Sequence, residues 1–303
     1  MIKPLESQAE YPNCNLCGST DSKILFSSGE YPDSRIGNVV CCQKCGLIYR
    51  NPCIIHQHDS PDKLMNSKTN VFKDYLKIIS SYRNKNRILD VGPGYGYFLF
   101  QCVQKGWEAW GVERRPDLVE FARNQYGIAI INEKFENADL PYDYFDVVTL
   151  FNVLDHLADP AFVLNKVFRI LRPGGIVLIR SPNAFFHIKY RKLMKSLYHL
   201  WDTISRFDIA TIHLYSFSKD TMCKYLRKSG FSDIFFWNSK INFSIDCTSI
   251  INVGKIAGRI VELSAEALRM FSNGDWVIGP SISVRAAKPL MDSKSEIVQK
   301  EIE

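Results

Sequence analysis

The residues best suited to chemistry come first in the chain. Cys14-Asn15-Leu16-Cys17 and Cys42-Gln43-Lys44-Cys45 are two C-x2-C pairs separated by 24 residues, and a glycine follows each, as Gly18 and Gly46. Such a pair forms a tight knuckle whose two thiolates share one metal, and two knuckles complete a tetrahedral four-sulfur shell suited to Zn²⁺. Cys41 offers an alternative thiol, but only Cys42 stands at the right spacing from Cys45. With Cys14, Cys17, Cys42 and Cys45 filling every position, no site is left for a water nucleophile, so the expected zinc is structural. The surrounding segment is rich in Cys, Gly, Pro and Asn and poor in apolar residues, as expected of a module that needs a staple.

A second constellation is Asp90-Val91-Gly92-Pro93-Gly94-Tyr95-Gly96, which follows an apolar run and opens a helical pattern. Glycines there let the backbone approach a ligand closely. The dinucleotide fingerprint G-x-G-x-x-G is missed, because the third glycine comes one residue early and Tyr97 takes its place. Asp90 would repel a pyrophosphate and suits an amine. Glu113, at the end of the next apolar run, is placed to accept hydrogen bonds from two ribose hydroxyls. A ribose with a cationic amino-acid tail and no phosphate describes S-adenosylmethionine (SAM); a nicotinamide dinucleotide is disfavoured by Asp90 and Tyr97.

The elements that must position these groups alternate. Ile88 to Val91, Ala109 to Val112, Phe145 to Phe151 and Ile176 to Arg180 read as strands, with helices predicted over Val71 to Ser81, Tyr97 to Gln104, Pro116 to Gln125 and Pro160 to Leu171. Alternation of this length means βαβ units and a parallel sheet. A helix over Lys219 to Ser229, a strand over Asp233 to Trp237 and a last strand near Ile282 to Ala286 follow. Phe151 and Asn152 fall at the carboxyl end of the fourth strand, where open α/β sheets bind ligands.

Taken together, Ile88 to Gly96, Gly111-Val112-Glu113, Ala138-Asp139-Leu140-Pro141-Tyr142, Phe145-Asp146-Val147-Val148, Val153-Leu154-Asp155-His156 and Leu171-Arg172-Pro173-Gly174-Gly175 resemble, in order, the motifs of class I SAM-dependent methyltransferases. The resemblance covers about residues 70 to 240. It implies an α/β fold with a Rossmann-like sheet, mostly parallel with the last strand antiparallel, preceded here by a small zinc-ribbon-like module. The cysteine pairs followed by Gly46-Leu47-Ile48-Tyr49-Arg50-Asn51-Pro52 resemble the module fused ahead of some members, sugar C-methyltransferases included. Carried onto this sequence, the resemblance implies that Gly92, Gly94 and Gly96 underlie the methionine and ribose of SAM, with Asp90 near its amine. Glu113 would bind the ribose, and Glu136, with Asn137 beside it, would meet the adenine amine. His213 and Tyr215, in His213-Leu214-Tyr215-Ser216-Phe217-Ser218, would lie over the acceptor pocket.

Methyl transfer from a sulfonium is an in-line displacement, so the protein mainly aligns acceptor, methyl and sulfur. A general base is needed only where the acceptor loses a proton. His156, preceded by Asp155, suits that role because an imidazole titrates near neutrality; the alternative is that the two residues cap the following helix or shape the pocket floor.

Composition and charge bound the rest. With 46% hydrophobic, 13% aromatic and 23% charged residues, a disordered or coiled-coil chain is excluded. Residues 1–68 hold seven basic and seven acidic side chains, which argues against a nucleic-acid-binding module. The excess of +6 concentrates over residues 184–207, where Lys189, Arg191, Lys192, Lys195 and Arg206 face Asp202 alone. If that stretch is helical, Phe186, Tyr190, Leu193, Leu197, Leu200, Trp201 and Ile204 form one apolar face. It reads as a lid packed on the domain, as a peripheral membrane contact, or as a surface for an anionic acceptor. The N-terminus has no apolar signal segment, so a cytoplasmic protein is expected, peripheral on the inner membrane face under the second reading. The expected organisation is a zinc-binding module over 1–55, a linker and helix over 56–84, and a methyltransferase domain over 85–290. Insertions are expected at about 184–212 and 240–275, with a flexible tail over 291–303. The function expected is methyl transfer to a small-molecule or glycan-type acceptor, such as a sugar or sugar nucleotide in polysaccharide or natural-product biosynthesis. A membrane-associated lipid acceptor and a non-catalytic scaffold are the alternatives.

Overall fold

The computed structural model describes residues 13–27, 37–52, 69–196, 213–239 and 276–290, with short pieces at 263–264, 267–268 and 272. Residues 56–68 of the expected linker and helix over 56–84, the tail from 291, the basic stretch beyond 196 and most of the insertion at 240–275 lie outside the described residues. Three short strands open the chain: β1 (Ser22–Phe26), β2 (Asn38–Cys42) and β3 (Ile48–Asn51), paired antiparallel in sequence order. Helix α1 (Thr69–Ser80) leads into β4 (Arg87–Val91), α2 (Tyr97–Gln104), β5 (Glu108–Val112), α3 (Pro116–Tyr126) and β6 (Ile130–Ile131). Then come β7 (Phe145–Phe151), α4 (Pro160–Ile170), β8 (Leu171–Pro182), α5 (Ala184–Ser196), β9 (Tyr215–Ser216), α6 (Lys219–Lys228), β10 (Ser232–Asn238) and β11 (Ser281–Ala287).

The main sheet has the order β10-β11-β8-β7-β4-β5-β6. Strands β4 to β8 pair parallel, and β11 runs antiparallel between β8 and β10, as expected for the last strand. The central strands are apolar along their length because both faces are covered: Ile88, Leu89, Val147, Val148, Ile176, Val177 and Leu178 are buried. Each such side chain stabilises the fold by roughly 1.5–3 kcal/mol. Helix α1, placed in a linker segment by the sequence, covers one face: Tyr75 and Ile79 pack with Ile88, Phe98, Trp107, Val147, Ile176 and Leu178. The predicted helices and strands stand within a few residues of their expected bounds, except that β8 starts at Leu171 and takes in the Pro173-Gly174-Gly175 turn.

The sheet of the cysteine module takes a fourth strand, β9, from the far side of the chain in the order β1-β2-β3-β9. Cys14, Leu16, Val40, Cys42, Leu47 and Tyr49 belong to the same apolar core as Leu214, Phe217, Met222 and Tyr225. Over residues 184–192 of α5, whose side chains are described, the face expected to be apolar is turned. Ala184, His187 and Ile188 are the buried residues, whereas Phe185 is exposed and Phe186 and Tyr190 are half-buried. Tertiary neighbours override the periodicity: Ile188 packs with Phe26 and Val39 of the module, and the His187 imidazole Nε2 lies 2.9 Å from the Pro280 carbonyl oxygen.

At the amino edge of the sheet, Asp146 in β7 is fully buried. Its carboxylate accepts hydrogen bonds from the main-chain N–H groups of Asn84 (3.3 Å), Lys85 (3.1 Å) and Arg87 (3.1 Å), and from the Arg172 guanidinium. Burial raises the carboxyl pKa, but Arg172 and the three amides outweigh it and hold it below the ordinary range. The resulting stabilisation is therefore fully present above the unfolded carboxyl's value of about 4 and is lost as pH falls through the native value. Replacing the anion breaks a buried pair. Asp146→Asn is expected to lower stability by about 3 kcal/mol and to flatten the acid limb of the stability–pH curve, measured by urea unfolding at pH 3 to 7.

Candidate active site

Strands β4, β5 and β7 end side by side, and the loops that leave them form the site. Gly92, Gly94 and Gly96 have φ of 66°, 58° and 75°, all left-handed, which turns the chain from β4 into α2 within five residues. The Gly92 N–H donates to the Val112 carbonyl (2.9 Å) and locks the loop to the end of β5. A Cβ on Gly92 would stand 2.8 Å from Val153 Cγ2, and one on Gly96 3.0 Å from the Ala122 Cβ, whereas one on Gly94 would meet nothing within 4 Å. Packing thus demands the outer two glycines. The middle one borders open space.

Glu113, at the end of β5, is buried, and its two carboxylate oxygens accept from the N–H groups of Gly94 (3.2 Å) and Arg115 (3.0 Å). Its acid group is therefore presented at the glycine loop in a fixed orientation. Asp90 is buried at the end of β4 and accepts a 2.6 Å hydrogen bond from the Thr149 hydroxyl. Glu136 is half-buried, and its carbonyl accepts from the Lys166 ammonium (3.1 Å). Asn137 is exposed, with its amide directed to Glu133 at 3.4 Å. No hydrogen bond links either of them to Glu113 or the glycine loop among the described contacts.

The carboxyl end of β7 builds the opposite wall. The Phe151 ring lies 4.4 Å from Tyr75 and 5.0 Å from Phe98, centroid to centroid. Asn152 adopts a left-handed φ of 58°, held from both sides: its N–H donates to the Arg180 carbonyl (2.8 Å), and its side-chain oxygen accepts from the Arg180 guanidinium (2.7 Å). Arg180 and Thr149 went unread in the sequence. The available signal was a polar residue within an apolar strand, near its carboxyl end.

Past Asn152, a single 3₁₀ turn, Leu154–His156, carries the titratable groups. The Asp155 carboxylate is fully buried, and among the described residues no other residue donates a hydrogen bond to either oxygen. Burial pushes its pKa up, against the pull of the His156 charge. His156 Nε2 and His213 Nε2 each lie 3.7 Å from Asp155 Oδ2, and the two rings are 3.9 Å apart. Their side chains are 38% and 20% exposed, so the buried acid is backed by protein and fronted by two imidazoles that reach solvent. Asp155, His156 and His213 thus gather three ligand atoms within 4.8 Å, a set able to pass a proton or to hold a cation. Tyr215, expected over the acceptor, is instead buried, and its hydroxyl donates to the Ala158 carbonyl (3.0 Å). It fastens the 154–159 segment to β9.

In the module, the sulfurs of Cys14, Cys17, Cys42 and Cys45 lie within 4.8 Å of one another. Cys14 and Cys45 are 3.4 Å apart and Cys17 and Cys42 3.6 Å. Bonds of about 2.3 Å to a tetrahedral zinc need sulfurs just under about 4 Å apart, so the cluster fits that ion. Gly18 and Gly46, with φ of 72° and 81°, close the knuckles by donating to the Cys14 and Cys42 carbonyls. Burial pushes the Cys14 and Cys45 thiols up, whereas at Cys42 the N–H groups of Cys45 and Lys44 and the neighbouring thiols outweigh burial and bring the thiol down to about 7. Cys41 stands apart from the cluster, its thiol directed to the Cys42 carbonyl at 3.7 Å.

Residues 63–234 match the model of a methyltransferase domain family, and the chain belongs to that family. It is similar to the ubiquinone biosynthesis O-methyltransferase of Aeromonas salmonicida, 32% identical over 109 residues, or 33% of this chain and 46% of that protein. The enzyme of the same name from Xanthomonas oryzae is 28% identical over 137 residues, 42% of this chain and 57% of that protein. The chain thus matches about half the length of these curated relatives. Among solved structures, a SAM-dependent methyltransferase from Archaeoglobus fulgidus shares the fold, with a TM-score of 0.50 over 75% of this chain and 97% of that one, at 21% identity.

The glycine loop yields a differential test. Gly92→Ala adds a clash with Val153 to left-handed strain and should cost about 2–4 kcal/mol, whereas Gly94→Ala carries only the strain of about 1 kcal/mol. Thermal unfolding of the two variants should separate them in that order; equal losses would contradict the packing assignment.

Proposed function

We propose that the protein transfers a methyl group from SAM to a hydroxyl of a small-molecule acceptor, glycan-type acceptors such as a sugar or sugar nucleotide included. The observation that carries this reading is the Asp155, His156 and His213 cluster beside the glycine loop, with Val153 in contact range of Gly92. The relatives named for ubiquinone biosynthesis O-methylation also favour a small-molecule acceptor. Bound SAM would supply an electrophilic methyl on a sulfonium. The chain's own residues do the rest: Gly92, Gly94 and Gly96 give the ligand close access to the backbone, Asp90 faces its amine and Glu113 accepts from its ribose hydroxyls. Glu136 and Asn137 are the adenine candidates, and Phe151 and Asn152 border the methyl end. His156, with His213 beside it, takes the acceptor's hydroxyl proton as the O–CH₃ bond forms and the CH₃–S bond breaks. Buried Asp155 stabilises the imidazolium that results.

The placement of Asp155 supports proton transfer, because a carboxylate 3.7 Å from an imidazole favours its charged form. Calorimetry should detect SAM binding, and Glu113→Ala should weaken it about tenfold to a hundredfold by losing charge-assisted hydrogen bonds. His156→Gln should leave that affinity intact and lower methyl transfer about a hundredfold or more. Mass spectrometry of metabolites and glycolipids from cells with and without the gene, searched for pairs differing by one methylene, identifies the acceptor.

The four cysteines are read as a structural zinc site on Cys14, Cys17, Cys42 and Cys45. Elemental analysis should find one zinc per chain, lost in Cys42→Ser and retained in Cys41→Ser; retention in both would refute the ligand set. The basic helix α5 is read as packed against the module through Ile188, which favours a lid over a membrane contact. No helix among the described residues is long and apolar enough to cross a membrane.

A further inference from the structure

The two histidines come from chain segments 57 residues apart, and each segment is anchored to the cysteine module. On the His213 side, β9 pairs with β3, with Ile48 opposite Ser216 and Tyr49 opposite Tyr215, and the Arg50 N–H donates to the Leu214 carbonyl (3.0 Å). On the His156 side the anchor is Asn15, which lies between the two cysteines of the first knuckle. Its side-chain N–H donates to Asp159 Oδ1 (3.0 Å), and its oxygen accepts from the Tyr225 hydroxyl (2.9 Å). Asp159 caps α4 through the Phe162 N–H (3.0 Å) and ends the segment that carries Asp155 and His156. The adjoining Lys228 and Lys224 ammonium groups donate to the Leu16 and Cys45 carbonyls, at 3.0 and 2.9 Å. Both knuckles are therefore gripped by the methyltransferase domain.

We infer that Asn15 is a positioning residue for His156, and that the cysteine module is the frame that holds His156 and His213 against Asp155. The inference rests on the proton-transfer reading of those histidines, but its geometry does not depend on it. The cofactor loop, by contrast, is braced by β5 and α3 through Val112, Glu113 and Ala122, with no module residue among its described contacts. Loss of the Asn15 bond should loosen the histidine segment and leave the SAM half unmoved.

The test uses the full chain as purified. Hydrogen exchange read by mass spectrometry should speed up about tenfold over residues 154–159 in Asn15→Ala, corresponding to one lost hydrogen bond to a charged group, with residues 87–96 and 108–113 unchanged. In protein labelled with ¹³C on the histidine rings, the nuclear Overhauser contact between His156 and His213 should weaken in the same variant, while SAM affinity by calorimetry stays within about twofold. Asp159→Ser keeps a capping hydroxyl for α4 but cannot reach Asn15, so it should reproduce the effect. The double variant should be no worse than either single change, because both remove the same bond. Unchanged exchange and ring contact in Asn15→Ala, or full additivity in the double variant, would overturn the inference. Should Asn15→Ala not fold, Asp159→Ser, which removes the same bond from its other end, decides alone by the same two readouts. Absence of SAM binding in the unaltered protein would instead sink the methyl-transfer reading and leave the Asn15 result standing.

Discussion

The contact between Gly92 and Val153 joins the two halves of the site, because it sets the loop after β4 directly against the loop after β7. Adjacent parallel strands stand under 5 Å apart, so loops leaving β4 and β7 on the same edge cannot avoid each other. A side chain at residue 92 would push the histidine turn away from the glycine loop. The missing Cβ is thus what allows the glycine loop and the turn carrying Asp155 and His156 to lie side by side. Everything else in the site is arranged around that approach: Glu113 is tethered to Gly94 from one side and Asn152 to Arg180 from the other.

Charge is treated differently at the two edges of the same sheet. At the amino edge, Asp146 is buried with three amides and Arg172 around it, so the anion is stabilised and serves the fold. At the carboxyl edge, Asp155 is equally buried, but among the described residues no other residue donates a hydrogen bond to its oxygens. Leaving a buried carboxylate so poorly solvated costs stability, and the group's most direct electrostatic partners are two imidazoles. Strain of this kind is expected where a chain needs a responsive group rather than a rigid one.

The cysteine module illustrates how a small unit is stabilised when it cannot bury enough apolar surface alone. Three strands and four clustered sulfurs are supplemented by a borrowed strand, β9, and by an apolar core continuous with α6. Borrowing works in both directions. The same pairing that completes the module's sheet fixes the backbone around His213.

Local sequence determined a large share of this. The alternation of apolar runs and amphipathic segments is a property of neighbouring residues, so the strands whose carboxyl ends carry Asp90, Phe151 and, one residue beyond, Glu113 were legible, as were the glycine loop and the two knuckles, whose chemistry lies in spacings of a few positions. Tertiary structure alone decided what depends on residues distant in the chain. The turned face of α5 was set by Phe26, Val39 and Pro280, and the burial of Tyr215 by Ala158 and the β3–β9 pairing. Asp155 could be seen beside His156 in the sequence, but its meeting with His213 could not, since no local periodicity relates residues 57 positions apart. Tertiary contacts bring those two segments together, the Tyr215 hydroxyl on the Ala158 carbonyl directly and the cysteine module by bonding to both, because a non-local contact is specified by the shapes and hydrogen bonds of the surfaces that meet.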